Sequence, residues 1–224
     1  MCGRFTLFAP YYEIVKRFDI ESAFEESDYV PSYNIAPSQQ VVAILNDGEK
    51  NRLGHLKWGL VPSWAKEEKI GYKMINARAE TVAEKPSYRN AFKKRRCILP
   101  ADSFYEWQRK DGDKIPMRIK LKGDGLFAIA GLWEAWRKPD GSMLYTCTAI
   151  TTKPNGLMEP IHDRMPVILR KEDEAAWLDP KNEDIHFLGN MLKPFDEEQM
   201  EAYIVSSNVN SPKNNEESLI IPIC

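Results

Sequence analysis

The amino-acid sequence predicts an α+β fold dominated by antiparallel strands, on three observations. Short runs rich in Val, Ile, Leu and aromatic residues recur along the 224 residues, and turn signals such as Asn46-Asp47-Gly48, Asp111-Gly112 and Asp140-Gly141 separate them. Segments with helical spacing are few and short. No repeat, low-complexity stretch or Pro/Gly-rich linker divides the chain, so a single domain over residues 1–224 is expected.

In order, Tyr11, Ile14, Val15 and Phe18 fall at helical spacing and predict a short amphipathic helix beginning near Pro10. Residues 19–38, with Pro31 and Pro37, read as irregular. Residues 41–45 and 52–60 form a predicted hairpin, and Pro62-Ser63-Trp64 opens a loop. Pro86 is expected in the first turn of a helix reaching about Lys94. Strands are then predicted over 96–99, 103–107, 117–121, 126–136 and 144–151, and another over 163–169. Helices over 172–178 and 185–192 and a strand over 202–205 complete the pattern.

Composition narrows the function. A formal net charge of −2 argues against a protein that coats nucleic acid indiscriminately, though it permits a local basic groove. The four cysteines are scattered without a C-x-x-C pair, and the three histidines show no zinc-ligand spacing, so no metal or cofactor is expected. No apolar run nears the ~20 residues of a membrane span, and no secretory signal is visible. A soluble protein of the reducing cytoplasm, without a membrane partner, is the expectation.

Five segments carry chemistry. Met1-Cys2-Gly3-Arg4-Phe5 comes first, because the initiator is normally removed before a residue as small as cysteine. Removal would leave Cys2 with an α-amine titrating near ~7.7–8.0 beside a thiol near ~8.5. Such a pair can capture an aldehyde as a Schiff base and then close a thiazolidine. Taken alone, the pentapeptide suits a small residue buried in a strand better. In Met74-Ile75-Asn76-Ala77-Arg78-Ala79-Glu80, Asn76 and Arg78 share a face if extended, which suits a phosphate or sugar oxygen; an Arg78–Glu80 surface ion pair is the plainer alternative. Glu106 lies between Tyr105 and Trp107, where burial would raise its pKa and let it donate as well as accept a proton.

His162, flanked by charge and proline, is the best histidine candidate for a proton shuttle; Asp163 would orient it or pair with Arg164. His55 and His186 read as structural. Trp58-Gly59-Leu60-Val61-Pro62-Ser63-Trp64 sets an indole at each end of a loop, and Trp64 is the better of the two for stacking on an unpaired base. Lys93-Lys94-Arg95-Arg96 reads as a solvated helix end.

Taken together, these segments resemble the SOS-response-associated peptidase (SRAP) family. The matching motifs are Cys2-Gly3-Arg4-Phe5, Tyr33-Asn34-Ile35-Ala36-Pro37, the Trp58 to Trp64 loop and Asn76-Ala77-Arg78-Ala79-Glu80. They continue with Cys97-Ile98-Leu99-Pro100-Ala101 through Tyr105-Glu106-Trp107, Gly131-Leu132-Trp133-Glu134 and His162-Asp163-Arg164-Met165-Pro166. The resemblance implies a barrel-like core of strands with flanking helices. It also implies a sensor of abasic sites in single-stranded DNA, acting in the DNA damage (SOS) response, that crosslinks itself to the lesion as a thiazolidine through Cys2.

By the same resemblance Asn76, Glu106 and His162 join Cys2 as catalytic residues. Arg4, Arg78 and Arg164 would hold phosphates, while Pro37 and Trp64 would fill the gap in the base stack. A monomer, self-release of Met1, protease activity, an abasic-site lyase side reaction and a nucleoid location on DNA are further implications. Three rivals stay open on the residues alone: an N-terminal-nucleophile amidohydrolase using Cys2, a non-covalent single-strand binder, and a thiol protease using Cys2 or Cys97.

Overall fold

The computed structural model describes residues 2–223; Met1 and Cys224, and with Met1 the expectation of its removal, lie outside them. Strand β1 (Phe5–Leu7) leads into α1 (Tyr11–Arg17), followed by β2 (Ile20–Ser22), β3 (Ser32–Ile35), β4 (Gln40–Asn46), β5 (Asn51–Trp58) and β6 (Asn76–Arg78). Then come α2 (Arg89–Lys94), β7 (Arg96–Ala101), β8 (Ser103–Lys110), β9 (Asp113–Leu121), β10 (Phe127–Arg137) and β11 (Met143–Thr152). The chain finishes with β12 (Met165–Pro166), β13 (Ile168–Leu169), α3 (Lys171–Leu178), α4 (Ile185–Asn190) and β14 (Met200–Ile204). The fold is α+β and mainly antiparallel, as its alternating apolar runs predict.

Its centre is a ring. Strands β11, β10, β7, β4 and β5 pair in that order, each antiparallel to the next. With five strands the first and last point the same way, so closure requires a parallel seam; β5 supplies it by pairing with β11 at Lys57↔Thr146 and Trp58↔Cys147. Beyond Trp58, β6 takes over the same edge of β11, with Asn76 opposite Ala149 and Arg78 opposite Thr151. The hydrophobic core includes Ile44, Leu56, Trp58, Ile98 and Ile150 from these strands, with Phe5 edge-on to Trp58 at 5.2 Å between ring centres. A second sheet, β14-β9-β8-β1-β3, is continuous with the ring because β8 follows β7 after the single residue Asp102.

Four local expectations are revised. The 19–38 segment contains β2 and β3, whose pairing with distant strands no local pattern reveals. Pro86 precedes α2 by a run of turns rather than sitting in its first turn, so the helix starts at Arg89. The 163–169 strand is two short strands, because Val167 bridges from β11 to β10: its N–H donates to Ile150 while its carbonyl accepts from Ala130.

The fourth revision concerns Arg96, which is buried rather than solvated. Its guanidinium donates to the carbonyls of Phe92, Lys93, Trp177, Asp179 and Asn182 at 2.5–2.9 Å, tying the ends of α2 and α3 to β7. Arg96→Met would strand several acceptors at two helix C-termini and is expected to cost about 3–5 kcal/mol. Denaturant unfolding checks this; a loss under about 1 kcal/mol would show that water replaces the guanidinium.

Candidate functional site

The pairing of β1 with β8 positions residues 2–4. Phe5 pairs with Phe104, and Tyr105 N–H donates to Arg4 O at 2.9 Å, so antiparallel register carries the preceding residues alongside Glu106. At the β5-to-β6 handover, the Asn76 side-chain amide donates to Cys2 O at 2.8 Å. Cys2 is 1% exposed, and burial together with the nearby Glu106 charge pushes its thiol well above the ordinary range.

Glu106 on β8 is 2% exposed, and burial raises its carboxyl to about 7. Its Oε2 lies 3.7 Å from His162 Nε2. The Arg164 backbone N–H lies 3.0 Å from His162 Nδ1 and the Arg164 carbonyl 3.3 Å from the same nitrogen, so the turn holds the ring with Nε2 facing Glu106. Burial holds the imidazole below its usual pKa, so neutral is the form at pH 7. Asp163 does reach His162, with Oδ1 3.0 Å from Nδ1, but is mostly in water, which screens it.

The arginines divide. Arg78 is exposed and has no hydrogen bond or ion pair from its side chain among the described residues. Neither ion pair weighed as an alternative from the sequence, Arg78–Glu80 or Asp163–Arg164, is among the ion pairs of the described residues. Arg164 instead holds Glu80 with both Nη atoms at 2.8 and 2.9 Å and Thr151 O at 2.6 Å, and this pairing pulls the Glu80 carboxyl below its usual range. Arg4 gives Nη1 to Asn34 Oδ1 and Val209 O, both at 2.7 Å, and stacks over Trp107. These contacts tie Arg4 to the 207–210 turn.

Trp64 is 60% exposed, whereas Trp58 is buried with its indole N–H on Ile75 O. Pro37 is half-buried, directly before Ser38, which has a positive φ of 73°. The loop bearing Trp64 is cinched where Gly59 and Gly71 cross: a Cβ on Gly59, already at φ 132°, would sit 2.7 Å from Gly71 O. The Trp136 indole N–H fixes the loop through Ala65 O at 2.8 Å.

Cys97, the rival nucleophile, is fully buried; burial raises its thiol, and a Cβ on Gly131 would lie 2.8 Å from its Sγ. Glu106, Trp107, Arg109, Lys114, His162 and Asn210 line a cleft of about 400 Å³, which sets Glu106 and His162 at an opening to solvent. Residues 1–212 match the family described as SOS response associated peptidase (SRAP). The chain belongs to the SRAP family.

Among relatives, the Bacillus subtilis (strain 168) protein named abasic site processing protein YoqW is 63% identical over 221 residues, covering 98% of this chain and 99% of that one. Abasic site processing protein HMCES of Xenopus tropicalis is 34% identical, covering 85% of this chain and 66% of its own length. A crystal structure from Bacteroides thetaiotaomicron superposes with a TM-score of 0.91 at 30% identity over the full length of both chains. Another, from Bordetella bronchiseptica, gives 0.79 at 25% identity over 92% of this chain and all of that one. Glu80, Asn34, Asn210 and Lys114 border these groups but were not singled out from sequence. The first two stand inside SRAP motifs, which was the available signal.

Proposed function

We propose that this SRAP protein senses and shields abasic sites in single-stranded DNA by linking itself to them through Cys2 once Met1 is removed. The observation that carries the reading is one cluster: Cys2 held by the Asn76 amide beside a buried Glu106 whose carboxyl titrates near neutrality, with His162 Nε2 facing it. The relatives' names, abasic site processing protein, support the substrate.

An abasic sugar is an aldehyde closed as a hemiacetal. Opening it needs a proton on the ring oxygen and loss of one from the anomeric hydroxyl, tasks that suit Glu106 with His162 beside it. The Cys2 amine then adds to the aldehyde and expels one water as the imine forms. The thiol adds across the C=N bond, its proton passing to nitrogen, and the thiazolidine closes. Net, one aldehyde and one aminothiol give the ring and one water.

The missing base is itself the signal, so phosphate contacts from Arg4, Arg78 and Arg164 and stacking by Pro37 and Trp64 suffice without base readout. Self-release of Met1 and strand cleavage as a side reaction belong to the same reading, as does a monomer in the cytoplasm that joins the nucleoid when bound to DNA.

The test mixes Met1-free protein with single-stranded DNA carrying one abasic site, beside the same strand with thymidine there. A denaturing gel should show a heat-stable adduct only with the lesion, and its intact mass should equal protein plus DNA less one water. No adduct from protein confirmed to begin at Cys2 would overturn the reading.

A further inference from the structure

Arg109 and Lys114 face each other across the β8–β9 hairpin as register partners. Like charges directly opposite one another weaken a strand pair, so this arrangement works against the hairpin it sits in. No carboxylate relieves it: neither side chain has an ion pair among the described residues, although the next rung of the hairpin pairs Lys110 with Asp113. Both cations line the 400 Å³ cleft that holds Glu106 and His162. Two further ties fix the wall they stand on. Gln108 Nε2 donates to Pro160 O at 3.0 Å, joining β8 to the His162 loop, and the Trp107 indole N–H donates to Asn210 Oδ1 at 2.7 Å. Arg109 is also close enough for its charge to contribute, after burial, to holding His162 below its usual pKa.

Resting on the abasic-DNA reading, we propose that Arg109 and Lys114 clamp a backbone phosphate flanking the abasic sugar. A phosphodiester supplies the anion that this cross-strand pair lacks, and only there does the repulsion become attraction for a ligand. The clamp stands on the wall of the cleft that Trp107 and Asn210 complete. Neither cation belongs to a segment matching the SRAP motifs.

The probe is a short single-stranded oligonucleotide with a tetrahydrofuran abasic analogue, which binds without reacting. Its Kd is measured against salt for the wild type, Arg109→Ser/Lys114→Ser, Arg109→Lys, and the control Lys181→Ser, an exposed cation that does not line the cleft. The double variant should bind about tenfold more weakly at low salt, with the log Kd–log salt slope reduced by about 0.7, the share of one single-strand phosphate contact. Arg109→Lys and Lys181→Ser should keep the wild-type slope. A methylphosphonate at one flanking linkage should weaken the wild type but not the double variant. Thermal unfolding checks that the variants fold. Wild-type Kd and slope in the double variant, or equal methylphosphonate losses in both proteins, would overturn the clamp. If the wild type still forms the covalent adduct, only the clamp fails; if it forms none, the underlying reading fails.

Discussion

Cys2→Ala is expected to abolish the heat-stable adduct with abasic DNA while leaving a protein that nicks the strand. Alanine keeps the α-amine after Met1 removal, so the Schiff base still forms. Without a thiol nothing adds across the C=N bond, and the imine stays reversible. An imine also acidifies the neighbouring sugar proton, and loss of that proton expels the 3′ phosphate by β-elimination. The wild type should therefore accumulate adduct with intact DNA, and the variant should accumulate cleaved DNA with an adduct seen only after borohydride trapping. Cys2 is almost wholly buried in the core, so removing one sulfur should leave the fold standing at a cost of about 1–2 kcal/mol. A heat-stable adduct formed by Cys2→Ala without borohydride would remove the thiol from the mechanism.

Glu106→Gln is expected to slow crosslinking by about 10²–10⁴-fold, the usual worth of a positioned acid–base group. The glutamine keeps shape and hydrogen bonding but cannot exchange a proton. Its pH behaviour separates this role from a structural one. In the wild type the carboxyl is protonated below about 7 and ionised above it, so ring opening by proton donation should fade as pH rises through 7. The Cys2 amine works in the opposite sense, becoming nucleophilic toward ~8. A bell-shaped rate profile follows, and its high-pH limb should vanish in the variant.

Stability gives an independent readout. Because the carboxyl's pKa is raised from 4.5 to about 7 by burial, the folded state holds its proton over a range where the unfolded chain has lost it. The proton's contribution is complete below about 4.5 and is lost as pH climbs through 7, a change of roughly 3 kcal/mol. Glu106→Gln should therefore melt above the wild type at pH 8 and close to it at pH 4. A variant that is fast, or less stable at pH 8, would show that Glu106 serves packing instead.

Much of the architecture was legible locally. The Asn46-Asp47-Gly48 and Asp111-Gly112 turns mark their hairpins because positive φ is cheap there: Gly48 has φ 98° and Gly112 φ 91°. Glu106 could be singled out because its two aromatic neighbours lie in an apolar strand, and Trp64 because it stands beside proline in a loop. What local pattern left open was side-chain partnership. Arg164 chose Glu80 over adjacent Asp163, since the β6–β11 pairing brings Glu80 to it and a two-pronged carboxylate contact outweighs a water-exposed neighbour. Arg96 looked like one more cation in a basic run until two helix ends converged on it.

The sequence by itself determined the strand-rich α+β class, the hairpins and the candidates for the reactive residues, because period, turn chemistry and residue type act over a few neighbours. Only the tertiary structure decided that Cys2 lies against Asn76, 74 positions away, and Glu106 against His162. Those meetings follow from an odd-stranded ring that must close on a parallel seam, and from burial, which lifts Glu106 toward neutrality only after its neighbours have assembled around it.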